Sequence, residues 1–97
     1  LHDALPIFLP MSSRAQCVLD CRQCGGLFRL GRNVEAALTM VDVFDHAQSL
    51  LSRGSPAMQQ QWLQLLPPML ACQEGRDWLG LADYLEYELV ALLESES

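Results

Sequence analysis

A chain of 97 residues that is 51% apolar and 19% charged can bury one hydrophobic core and lies far from the charged, apolar-poor profile of a disordered chain. Twelve acidic residues against six arginines and no lysine give a net charge of −6, which repels phosphate and excludes nucleic acid and anionic membrane surfaces as expected partners. No apolar run reaches the roughly 18 residues that cross a bilayer, and no positive start followed by an apolar block marks export. The expectation is a cytoplasmic protein with its four cysteines reduced.

The first residues stand apart. Leu1-His2-Asp3-Ala4-Leu5-Pro6-Ile7 resembles the in-frame translation of a short-read sequencing adapter, which implies that residues 1–10 are a non-native or disordered leader and that Met11 is a plausible native start. Residues 11–97 are then read as a single helical domain.

From Ser13 onward apolar residues recur at steps of three and four, and no stretch alternates long enough for a half-buried strand. The fold class predicted is all-α. Four main helices are expected in two tandem antiparallel hairpins, forming a small bundle or a tetratricopeptide-like pair.

The first helix is predicted over about Ser13 to Leu30, with Cys17, Cys21, Cys24 and Phe28 on one face. Gly25-Gly26 weakens it by roughly 1 kcal/mol per glycine relative to alanine, a penalty that close approach of another helix can offset. Gly31-Arg32-Asn33 supplies a left-handed stop and an Asn cap, so the second helix should start at Val34. Its expected core stripe is Val34, Ala37, Leu38, Val41, Phe44, Ala47 and Leu51.

Ser55-Pro56 restarts the chain as cap and first helical residue, and Met58, Trp62, Leu65, Leu66 and Met69 form the stripe of a third helix. Pro67-Pro68 should kink or divide it. Gly75-Arg76-Asp77 repeats the earlier junction, and Asp77 should cap a fourth helix to about Glu94 with Trp78, Leu81, Ala82, Leu85, Leu89 and Leu92 inward.

Two family resemblances arise from these residues. Gly25, Phe28 and Ala37 fall at spacings similar to the glycine, aromatic and alanine positions of a tetratricopeptide unit, while Met69, Cys72 and Leu81 stand at the corresponding places of the second hairpin and depart from that pattern. The run from Asp77 to Leu89 resembles a C-terminal segment of small bacterial helical proteins without an assigned activity, which implies a bacterial source.

Chemistry is sparse. Cys17-x3-Cys21-x2-Cys24 resembles the cysteine spacing of radical SAM iron–sulfur proteins, yet Gln23 stands where that family usually has an aromatic residue, and no glycine-rich cofactor strand follows. Cys21-Arg22-Gln23-Cys24 lies mid-helix, without the helix N-terminus that would activate a redox pair, and Cys72 would have to complete any zinc site. Asp42-x2-Asp45-His46 lacks the paired Glu-x-x-His of a two-metal bundle, and no Ser-His-acid set can be assembled. No metal, no cofactor and no catalytic residue is therefore expected.

What remains is interaction. Asp83, Glu86, Tyr87, Val90 and Glu94 share the face opposite the last leucine stripe and are read as an acidic, tyrosine-bearing surface for a protein partner. The function expected is a small cytoplasmic adaptor, regulator or chaperone-like module. Its alternative is a thiol-based redox or metal sensor using Cys17, Cys21 and Cys24.

Overall fold

The computed structural model describes residues 12–95; the expected leader over residues 1–10 and the start at Met11 lie outside them. The elements are α1 (Ser13–Arg29), α2 (Asn33–Leu51), α3 (Pro56–Glu74), α4 (Trp78–Asp83), a π-helical turn (Tyr84–Leu89) and α5 (Val90–Glu94). Backbone angles stay helical through Asp83, Leu89 and Val90, so α4, the π turn and α5 make one continuous rod. The described residues are helices joined by short turns, and the all-α expectation holds.

Local chemistry sets the helix ends. Ser12 accepts the Ala15 N–H at 3.0 Å, Ser55 accepts the Met58 N–H at 3.2 Å ahead of Pro56, and Asp77 accepts the Gly80 N–H at 3.0 Å. Each satisfies one of the amide donors that a helix leaves free in its first turn. The second helix departs from the pattern. It starts at Asn33 with Arg32 as its cap residue and no side-chain cap bond, and the Asn33 Oδ1 is buried without a partner.

Both Gly-Arg junctions close as Schellman turns. Gly31 and Arg32 donate to the carbonyls of Phe28 and Leu27, and Arg76 and Asp77 donate to those of Gln73 and Cys72. The left-handed position is Gly31 (φ +78°) in the first but Arg76 (φ +57°), not Gly75, in the second. A side chain there strains the backbone by about 1–2 kcal/mol, partly offset by its smaller loss of chain entropy than glycine. Arg76→Gly should therefore raise stability by about 0.5–1 kcal/mol, visible as a higher urea midpoint; an unchanged or lower midpoint would mean that the arginine side chain compensates the strain.

Pro67 and Pro68 do not divide α3. Each proline leaves a carbonyl four residues earlier without its amide, at Leu63 and Gln64. Both of those residues are exposed, so water can take the bond that the helix loses.

Packing is organised around α1. The rod from Trp78 to Glu94 is its most extensive neighbour, α2 lies against it as well, and α3 makes thinner contacts with the rod and with α2. Arg14 near the start of α1 donates to the Ser95 carbonyl at 2.9 Å, and Arg29 at its end reaches Asp83 and Glu86, so α1 and the rod run antiparallel. This order is that of a bundle, in which the first helix touches the last, and not of one hairpin stacked on the next.

Small residues on α1 let the neighbours approach. Cys17, Cys21, Cys24 and Phe28 face inward as expected from their spacing; Gly25 is buried beside them, and a Cβ on it would stand 2.5 Å from the Glu86 Cγ. Against them the rod buries Leu81, Ala82, Leu85, Leu89, Val90, Leu92 and Leu93. The cores of α3 are Met58, Trp62 and Met69, with Leu65 and Leu66 partly covered. Phe44 and Trp78, expected in the core, are only partly buried: Phe44 meets Trp62 edge-on at 5.9 Å and Trp78 stacks on Phe28 at 5.4 Å.

Candidate functional site

The carboxylates expected as an acidic surface on the last helix also pair within the fold. Arg29 of α1 donates from Nη2 to the Asp83 Oδ1 at 2.6 Å and from Nε to the Glu86 Oε2 at 2.8 Å, and Arg22 lies 3.9 Å from Glu94. These carboxylates tie α1 to the rod from its surface; Asp83, Glu94 and Tyr87, the last 64% exposed, face solvent as expected, and Glu86 is half-buried.

Val90 is a correction, because it is buried. The π turn bonds i to i+5 and so accommodates about one more residue per turn than an α-helix. That rotates the chain beyond Tyr84, and Val90, five residues after Leu85, comes round to the same inward face. A uniform helical repeat places it outside.

The thiols are packed groups. Cys17, Cys21 and Cys24 have no solvent exposure, and the Cys24 Sγ lies 3.3 Å from the Ala36 carbonyl. A hydrogen bond between Cys21 and Cys17 lowers the Cys17 thiol and, with burial, pushes the Cys21 thiol far up. Burial pushes the Cys24 thiol up to about 12. Cys72 is also raised, chiefly by desolvation, and sits near Asp77. Asp42 and Asp45 are exposed and His46 half-buried. Among the described residues no three His, Cys, Asp or Glu side chains are grouped to hold a metal ion.

Cys24 gives the fold a pH dependence. Its folded value of about 12 lies above the ordinary 9.0, so its contribution is complete below about pH 9 and is lost as pH rises toward the folded value. Relative to Cys24→Ala, the parent should lose up to about 1.4 kcal/mol per pH unit between about pH 9 and pH 10.5 in equilibrium unfolding. Parallel pH profiles for the two proteins would show that Cys24 ionises as freely folded as unfolded.

The surface that the sequence does not disclose lies on α2. Its inward residues are Ala36, Met40, Val43, Ala47 and Leu51, at steps of four, three, four and four. Of the stripe expected there, Ala47 and Leu51 are buried and Ala37 and Phe44 partly so, but Val34, Leu38 and Val41 are 77%, 68% and 58% exposed. Leu30, in the turn just ahead, is 73% exposed. The helix is apolar around most of its circumference, so periodicity admits two stripes. Packing selects the one with small residues, because Ala36 brings α2 close enough for its carbonyl to meet Cys24. The signal in the sequence is the small residue Ala36 facing the cysteine and glycine face of α1.

The outward ladder continues in register to Asp45, and Glu35 and Asp42 flank it one heptad apart. Arg32 pairs with Glu35 at 2.8 Å. Among the described residues, Asp42 and Asp45 have no cationic partner. The site is thus a short aliphatic ladder with a net acidic border.

Comparison of the chain with protein-family models, with curated proteins and with solved structures gives no match.

Proposed function

We propose that this chain is a small helical protein–protein interaction module, of adaptor, regulator or chaperone-like kind and without a catalytic centre of its own, that presents the outward face of α2 to a partner. The observation that carries this reading is the exposure of Val34, Leu38 and Val41 in consecutive helical register. Aliphatic side chains left side by side in water, bordered by charge, are the mark of a surface that is covered in use. The four free thiols fit a reducing, cytoplasmic setting, and the net charge of −6 favours protein over nucleic acid. No helix among the described residues is long and apolar enough to cross a membrane.

The test is a photo-crosslinking amino acid placed at position 38 and, as a control, at the exposed Gln23 of α1. A discrete protein adduct from position 38 in the native cells, absent from position 23 and lost on Val34→Ser with Val41→Ser, is the expected result. The same diffuse pattern from both positions would remove this reading.

A further inference from the structure

Resting on that reading, we propose that the partner segment is a basic amphipathic helix that lies along the first half of α2 and covers Leu30, Val34, Leu38 and Val41. The ladder steps by four from Val34 to Leu38, by three to Val41 and by four to Asp45. This is the spacing at which a second helix seats its own apolar stripe between the side chains. An added strand needs a sheet edge, and the described residues offer none.

Charge gives the partner its sign. The border of the ladder holds Glu35, Asp42 and Asp45 against Arg32 alone, and Arg32 already pairs with Glu35. The remaining arginines are committed or distant. Arg22 faces Glu94, Arg29 is held by Asp83 and Glu86, Arg14 donates to Ser95, Arg53 donates to Ser49, and Arg76 sits in the α3 to α4 turn. The sequence has no lysine, and among the described residues no arginine reaches Asp42 or Asp45, so both are open to a cation from another molecule. Lys or Arg beside the partner's apolar stripe supplies it and covers the flanks of the ladder with aliphatic stems.

A second copy of this chain fits less well. It brings the same acidic border and another net charge of −6, so like charges meet along the rim of an α2 to α2 contact. Four aliphatic side chains also expose only roughly a few hundred Å², against the roughly 1,200 Å² at which specific interfaces begin to hold stably. A weak, rapidly exchanging contact that gains from opposite charge is what such a surface supports.

Fluorescence anisotropy with three labelled helical peptides tests this on the full chain. The first has a leucine stripe flanked by Lys and Arg, the second has the same stripe flanked by Glu, and the third has the basic composition with its leucines scrambled. Binding of the first alone is expected, at roughly micromolar Kd, weakened at least about ten-fold between about 50 mM and 500 mM salt. Asp42→Asn with Asp45→Asn should weaken it several-fold, and Leu38→Ser should abolish it with the helical circular dichroism unchanged. Equal binding of the acidic peptide would overturn the basic chemistry of the partner. Equal binding of the scrambled peptide would reduce the contact to charge alone, and overturn it too. Absence of binding by the basic peptide, or sedimentation showing a dimer that Leu38→Ser dissociates, would also reject the proposal. None of these outcomes touches the crosslink at position 38, whose failure is what removes the interaction reading itself.

Discussion

Trp62→Ala should destabilise the fold by about 3–5 kcal/mol, the cost of deleting a fully buried aromatic side chain. Trp62 is 2% exposed, meets Phe44 of α2 edge-on and donates its indole N–H to the Gln48 side chain. Contact between α2 and α3 is thin, so this one side chain carries a large share of it, both by apolar area and by the aromatic contact. Removing it also frees the Gln48 amide, but that residue is exposed and water replaces the lost bond. Chemical denaturation should show the loss directly, and hydrogen exchange should show α3 opening first. A loss below about 1 kcal/mol would mean that α3 is held by other contacts.

The two adjacent glycines of α1 should respond in opposite senses. Gly26 has open space where a Cβ would stand, so Gly26→Ala should stabilise by about 0.5–1 kcal/mol through helix propensity alone. At Gly25 the Glu86 Cγ and Oε2 occupy that space at 2.5 Å. Gly25→Leu should displace Glu86, break its bond to Arg29 and separate α1 from the rod, a net loss of about 1–3 kcal/mol even after the propensity gain. The contrast between neighbours matters more than either value. If both substitutions stabilised, close approach at Gly25 would not be what that glycine is for.

How far the sequence discloses the structure follows from what each signal depends on. Caps and turns are local chemistry, and Ser55-Pro56, Asp77 and Gly31 act where their residue types place them. Gly25 is legible because a glycine in a helix is costly unless something needs its space. Two features are not local. The π turn displaces the apolar repeat without any composition mark, and with it Val90 leaves the outer face for the core. On α2 two apolar stripes compete, and the packing of the stripe that holds Ala36 against α1 decides that Val34, Leu38 and Val41 face water. The acidic positions Asp83, Glu86 and Glu94 are real surface positions, but Arg29 and Arg22, 54 to 72 residues earlier in the chain, turn them into struts. The candidate site therefore emerges from one of two stripes between which periodicity does not choose.

The direction in which α2 faces decides the whole functional account, and equilibrium unfolding of Leu38→Ser beside Met40→Ser measures it most directly. Leu38 projects into water and Met40 is 3% exposed in the core. Leu38→Ser should stay within about 0.5 kcal/mol of the parent, the difference in helix propensity, while Met40→Ser should cost more than about 2 kcal/mol. A loss at Leu38 equal to that at Met40 would place the ladder in the core and contradict the account.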